Sequence, residues 1–277
     1  ESLLVCIFNL KITPMTIQQK FIKLTLTAFV AITAITAFAQ PLSSPIRDIT
    51  YTLFNQYDGT NASAVVWVPK SQMYVTVVAG NAEFPLEGFS PAGTNIFSEN
   101  ANVDARGMWY NTKSGDIEIN GAGEMGWYGF SIAPTNRPTE RLNILPGQNQ
   151  PDFQSIGVYD EAKKQVCFLN ADANGIVCHS RKKPSKTKSF DLNFTSTSSV
   201  NLNPYAFGYT GQAGYEFVCM DYVNRNMVFF DRSGNQTASV AIPQDAPVND
   251  WFAFSFANGR AFFYDKENRI WTGYKVF

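Results

Sequence analysis

One unit recurs along this chain and limits what it can become. It is an apolar run ending in an aromatic residue, a polar turn of about five residues, and a second apolar run. The clearest copy is Ile156-Gly157-Val158-Tyr159-Asp160, a turn through Glu161 to Lys164, and then Gln165-Val166-Cys167-Phe168-Leu169. Related copies join Val65-Val66-Trp67 to Met73-Tyr74-Val75, Met108-Trp109-Tyr110 to Ile117-Glu118-Ile119, Met220-Asp221-Tyr222 to Met227-Val228-Phe229, and Phe262-Phe263-Tyr264-Asp265 to Ile270-Trp271. These are β-hairpins. Runs of Val, Ile, Phe, Tyr and Trp between Gly, Asn, Asp and Pro continue to the last residue, and helical periodicity is almost absent beyond residue 40. The expected class is all-β.

The first 39 residues stand apart from this pattern. From Met15 they read as a secretory signal: Lys20 and Lys23, then the apolar Leu24 to Phe38, then the small-x-small site Ala37-Phe38-Ala39 before Gln40. Residues 1–14 read as an over-extended start, 15–39 as the leader and 40–277 as a single domain. A membrane anchor is the alternative, but the apolar run is shorter than the roughly 20 residues a span requires. The expectation is a secreted, periplasmic or cell-surface monomer with no membrane span after cleavage.

Charge narrows the partners. There are 22 basic and 23 acidic residues, with no basic stripe of the kind nucleic acid needs. The one basic run, Arg181 to Lys188, precedes a Ser/Thr-rich stretch and reads as a solvated loop, with a polyanion-binding patch as the alternative. Three cysteines follow the expected cleavage site. If Leu169 pairs with Ile176 across the turn Asn170 to Gly175, Cys167 falls opposite Cys178, at a separation a disulfide tolerates. Two buried thiols are the other reading, and Cys219 is then a buried free thiol.

The second half of the chain shows four strands in succession: Tyr205 to Tyr209, Tyr215 to Tyr222, Met227 to Phe230 and Thr237 to Ile242. The C-terminal copy has only three, from Trp251, Ala261 and Ile270 onward. The marked aromatics lie 43, 49, 63 and 42 residues apart, the long interval being assigned to an insertion. Five four-stranded copies with this spacing resemble a β-propeller, whose blades repeat every ~40 to 50 residues. The resemblance implies five blades of four antiparallel strands, the last completed by an N-terminal segment such as Leu42 to Ile49. Six blades, with one near Arg141 to Pro146, and a β-sandwich are the alternatives.

Few side chains are suited to catalysis. His179 is the only histidine, which excludes a His-based metal cluster, and it points away from its neighbour Cys178 on a strand. Asn170 to Gly175 matches half a calcium loop, but Arg181 stands where a bidentate acid is needed, so it reads as a turn. No metal or cofactor is expected. Five-bladed propellers include glycosidases with acids around the central funnel, and by that resemblance the candidate carboxylates are Asp48, Glu124, Glu216, Asp221 and Asp250, two of which should meet within about 5 to 9.5 Å. Sugar-binding propellers stack rings on exposed aromatics beside Arg. Ile117-Glu118 followed by Gly126-Trp127-Tyr128-Gly129 resembles the repeat of fucose-type lectins, and the candidate ligand residues are Arg106, Trp109, Trp127, Arg260 and Trp251. Arg106 and Arg260 each stand four residues before a marked Tyr.

The reading is a non-enzymatic binding module with a carbohydrate or protein ligand at a loop face, formed by the loops after Asn81, at Pro134 to Pro138 and at Ser180 to Val200. The alternatives are a glycosidase-like hydrolase and a protein-assembly partner.

Overall fold

A computed structural model describes residues 42, 44–54, 61–80, 85–195 and 199–277; the expected leader and the loop after Asn81 lie outside them. The apolar runs form strands and the Gly, Asn and Asp clusters form the turns between them. Blade 1 contains β2 (Asn61–Val68), β3 (Met73–Ala79), β4 (Pro85–Phe89) and β5 (Asn95–Asn100). Blade 2 contains β6 (Ala105–Asn111), β7 (Asp116–Gly121), β8 (Trp127–Ser131) and β9 (Leu142–Leu145), with a 3-10 turn at Gly123–Met125. Blade 3 is β10 (Val158–Asp160), β11 (Gln165–Leu169), β12 (Gly175–Ser180) and β13 (Thr187–Asp191). Blade 4 is β14 (Leu202–Tyr209), β15 (Phe217–Asp221), β16 (Asn226–Phe230) and β17 (Gln236–Ala241). Blade 5 is β18 (Phe254–Ala257), β19 (Arg260–Asp265) and β20 (Ile270–Lys275), completed on its outside by β1 (Ile46–Thr52). All five sheets are antiparallel, and the chain is a five-bladed β-propeller. The N-terminal strand closes the ring through pairs running from Ile46 opposite Lys275 to Thr52 opposite Ile270.

The repeating hairpin occupies two different places. In blades 1 to 3 it joins the first and second strands, whereas in blades 4 and 5 it joins the second and third. The interval of 63 residues therefore reflects a change of strand as well as a connecting segment, and Arg106 on β6 and Arg260 on β19 are not equivalent. The basic run is also resolved differently. Its first part is the β12–β13 turn and its end enters the outer strand β13. Likewise, the stretch near Arg141 to Pro146 holds the fourth strand of blade 2.

The five first strands surround the axis, and each carries a small residue where they converge: Ala64, Gly107, Gly157, Gly208 and Ser255. A Cβ on Gly107 would lie 2.3 Å from the Gly157 nitrogen, and one on Gly208 would lie 2.7 Å from the Phe256 Cβ. Side chains are excluded there by contact, and hydrogen bonds hold the approach. Asn120 Oδ1 accepts from the backbone N–H of both Gly107 and Gly157 at 3.0 Å, while its Nδ2 donates to the Ser155 carbonyl at 2.9 Å. Between blades 5 and 1, Ser255 Oγ donates to the Val65 carbonyl and accepts from the Val65 N–H, both at 2.9 Å.

Away from the axis, large aromatics fill the wedges between blades. Tyr51, Tyr74, Phe262 and Trp271 pack between blades 5 and 1, with the Trp271 indole donating to Thr76 Oγ1 at 2.7 Å. Trp109, Trp127, Tyr159 and Phe168 pack between blades 2 and 3. Two arginines then reach back to buried acids of the preceding blade. Arg181, after β12, bonds both Glu118 oxygens of blade 2 at 2.7 and 2.8 Å, where Trp109 and Asn111 also donate. Arg232, after β16, bonds Asp160 of blade 3 at 2.9 Å and Glu216 of its own blade at 3.0 Å. Within blade 3, Cys167 and Cys178 are joined by a disulfide, with Cα atoms 4.0 Å apart and the two residues directly paired. Cys219 is free and buried, and burial raises its thiol pKa.

The arginine contacts give an asymmetric prediction. Arg181→Ala leaves the Glu118 charge buried without its cation and should cost about 3 kcal/mol, whereas Glu118→Gln leaves a guanidinium that water can reach and should cost roughly half that. Urea unfolding of the two variants measures the difference, and equal losses would contradict this account.

Candidate functional site

The first strands run in one direction, so their ends define two faces. The hairpin face carries the turns after first and third strands. The crossover face carries the turns after second strands and the links from blade to blade. On the crossover side the axis is filled from every blade: Ala79, Ile156, Tyr205 and Phe252 pack together, and the Arg106 guanidinium lies 5.3 Å from the Phe252 ring centre. Arg106 is held by Asp104 and Gln154, and Asp104 also accepts from the Gly80 N–H at 2.6 Å.

Below this plug lies a blind funnel of about 240 Å³, open at the hairpin face. Its wall is drawn from all five first strands: Ala64-Val65-Val66-Trp67, Met108-Trp109-Tyr110, Gly157-Val158-Tyr159, Gly208-Tyr209-Thr210-Gly211 and Ser255-Phe256-Ala257-Asn258. The throat is apolar, and the rim presents Trp67, Tyr110, Tyr209, Thr112, Glu161 and Asn258.

Hydrogen bonds fix several rim groups. Thr112 Oγ1 donates to one oxygen of the exposed Glu161, tying blade 2 to blade 3. The Tyr209 hydroxyl donates to Asp160 at 2.9 Å and accepts from Arg232 at 2.9 Å. Burial, and then the Asp160 charge, push the Tyr209 pKa up, so it stays a neutral phenol. Asn258 Nδ2 donates to the Tyr74 hydroxyl at 3.0 Å. Among the described residues, the Trp67 indole N–H, the Tyr110 hydroxyl and the second Glu161 oxygen have no protein partner and remain available to a ligand.

Of the sequence-based candidates, Trp109 alone lines the funnel. None of Asp48, Glu124, Glu216, Asp221 and Asp250 lines the funnel. Asp48 is on the outer strand β1 and pairs with Arg260 at 2.8 Å. Glu124 is exposed in the 3-10 turn, and Asp250 is exposed on the link before β18. Glu216 is held by Arg232, and Asp221, at the far end of β15, accepts from Asn224 to shape a turn. Of the aromatic and arginine set, Trp127 is fully buried and Trp109 lines the throat while donating to Glu118 at 2.9 Å. Arg106 is in the plug and Arg260 on the blade 5 surface. Trp251 is 42% exposed on the crossover side, with its ring 4.6 Å from that of Tyr205. The proposed loop face also divides: Pro134 to Pro138 and the turn after Ser180 open on the hairpin face, whereas the link leading to Val200 lies on the other. The funnel residues Trp67, Tyr110, Tyr209, Glu161 and Asn258 were not singled out from sequence as a site. The signal that finds Trp67, Tyr110 and Asn258 is the small residue three positions before each in its first strand, whereas Tyr209 and Glu161 stand one and four positions after theirs.

Among the described residues, no group of three or more His, Cys, Asp or Glu is placed to hold a metal ion, and no helix is long and apolar enough to cross a membrane. His179 lies on β12 away from the funnel, edge-on to Phe168 and Trp127, with Nδ1 donating to the Pro184 carbonyl at 3.0 Å.

No protein-family model matches this chain, and no curated protein matches it in sequence. Solved structures match in fold. Myxococcus xanthus glutaminyl cyclase is similar with a TM-score of 0.54 and 9% identity, over 86% of this chain and 98% of that one. A gluconolactonase of Xanthomonas campestris has a TM-score of 0.48 and 11% identity, over 87% and 99%. A Staphylococcus aureus virginiamycin B lyase has a TM-score of 0.41 and 12% identity, over 82% and 73%. At these identities the first likeness supports the fold alone.

Burial lowers the His179 pKa from its ordinary 6.5. Because the folded value is depressed, its contribution to stability is complete above pH 6.5 and is lost as pH falls toward the folded value. Unfolding free energy should therefore decline as pH falls below 6.5, and His179→Gln should flatten that slope. An unchanged slope in the variant, measured by urea titration, would refute the assignment.

Proposed function

We propose that this protein is a non-enzymatic binding module that seats one small sugar ring in the funnel. The observation that carries this reading is that Trp67, Tyr110 and Tyr209, from three blades, line one cavity of about 240 Å³ together with Glu161, one of whose oxygens has no protein partner among the described residues. Aromatic faces favour the C–H face of a sugar, and unsatisfied acceptors and donors favour its hydroxyls. The space is below the ~300–1,000 Å³ of typical drug-sized sites, which suits a single ring.

Hydrolysis is the weaker reading. Among the described residues the funnel presents one carboxylate, Glu161, while Asp160 and Glu216 behind it are committed to Arg232. The two-carboxylate arrangement of a glycosidase has no second member there. An exported location follows from the leader read in the sequence and belongs to this proposal.

Titration calorimetry of the full chain against neutral monosaccharides, with saturation-transfer NMR, tests the reading. At least one sugar should bind, and Trp67→Ala and Glu161→Gln should each weaken it by about tenfold, the size of one lost stacking or charge-assisted contact. Absence of binding by every sugar, or release of free sugar from glycoside substrates, would overturn it.

A further inference from the structure

Lysines gather on the hairpin face of blades 2 and 3. On the hairpin face, Lys113 directly follows the funnel residue Thr112, and Lys163 and Lys164 lie on the turn begun by Glu161. That turn is joined to the next basic one, since the Arg181 N–H donates to the Lys164 carbonyl at 3.0 Å. Lys182, Lys183 and Lys186 then continue along the β12–β13 turn, whose shape is set by the Lys186 N–H donating to the Lys183 carbonyl at 2.8 Å. Through the Thr112–Glu161 bond, the crescent is continuous from blade 2 across blade 3.

These six lysines are all exposed, and none has an ion-pair partner among the described residues. Acids are not lacking, since the chain has 23 of them. Of those nearby, Glu118 is paired with Arg181 and Asp116 accepts from Ser131, while Glu161 keeps one oxygen free at the rim. The exposed or half-buried acids Asp104, Glu124, Asp152, Asp172 and Asp250 lie on crossover-side turns and links, together with Arg225, Lys266 and Arg269, and the hairpin-face acids Glu140 and Asp231 belong to blades 2 and 4 and not to the turns of blade 3. Like charges this dense repel one another, and a chain near neutrality could have paired them. They run outward from the funnel mouth along blade 3, and define an electrostatic surface for an anion larger than the funnel itself.

We infer that the hairpin face binds an acidic polysaccharide, the lysine crescent holding its carboxylate or sulfate groups while one ring enters the funnel. The choice of a glycan among polyanions rests on the sugar-ring reading above. The crescent adds the charge of the ligand and the side from which the polymer approaches, over blades 2 and 3.

The test compares polygalacturonate and heparin with neutral dextran on the full chain, with an oligothymidine and phosphatidylserine vesicles as further arms. The acidic glycans should bind, and should weaken at least tenfold between about 0.01 and about 0.15 M salt, where the screening length falls from about 30 to about 8 Å. The combined Lys182→Glu, Lys183→Glu and Lys186→Glu variant should lose about tenfold for these polymers and leave monosaccharide titration unchanged. The corresponding Gln variants keep most of each side-chain stem and should show a smaller loss in the same direction. Trp67→Ala should weaken the acidic glycans without changing their salt dependence. Equal binding of dextran and polygalacturonate, or polymer binding by the Glu variant within twofold of the parent, overturns the inference while leaving the funnel reading intact. Oligonucleotide or vesicle binding as strong as that of the acidic glycans overturns the assignment to a glycan. Monosaccharides failing while acidic polymers still bind through the lysines overturns the funnel reading and removes the ring-insertion step.

Discussion

Everything near the axis depends on how closely five backbones can approach one another. At Gly107 and Gly157 the first strands of blades 2 and 3 come so near that a methyl group would overlap backbone atoms. Asn120 then satisfies the N–H groups that this approach strands. Ala64, Gly208 and Ser255 play the same steric part in the other blades. Because the throat is set by backbone contact, its width is fixed independently of the rim, and the rim residues three positions on are free to differ. Trp67, Tyr110, Gly211 and Asn258 do differ, and with Tyr209 and Glu161 they give the funnel its chemistry.

Much of the architecture was legible in the sequence. The hairpin units, the five copies and the incomplete last blade all follow from buried aromatic and β-branched runs bounded by turn residues, and the Cys167–Cys178 pair follows from register. Outer strands were harder. Asn95–Asn100, Leu142–Leu145 and Thr187–Asp191 bury little on either face, so they lack the alternation that marks a strand. The site was harder still. Asp160 and Glu216 look like stray acids inside strands, yet their meaning depends on Arg232 folding over from the turn after β16. Trp67 and Tyr110 were visible only as markers of the repeat. The five small residues had to be placed at one height before the aromatics beyond them became a rim.

Two kinds of cation divide the electrostatic roles. The planar guanidinium groups of Arg181 and Arg232 reach inward, where several fixed donors can satisfy desolvated carboxylates at once. The lysines remain outside, where an ammonium group keeps its hydration and its freedom. The same turn after β12 contributes both, with Arg181 anchored beneath and its lysine neighbours above. The ion pair that joins blades 2 and 3 therefore also anchors the turn that carries the basic surface of blade 3.

The pairing of β1 with β20 also has a consequence in time. The strand made first among those described has its partner at the far end of the chain, and contacts such as Arg260 with Asp48 span 212 residues. Until synthesis reaches β20, β1 has no sheet to join and the other blades form an open arc with an unprotected edge at each end. Non-local contacts of this kind slow folding and lengthen the exposure of such edges. The molecule is thus committed to a late, all-or-none joining step, and the interval before it is when the chain is most exposed to mispairing with another copy of itself.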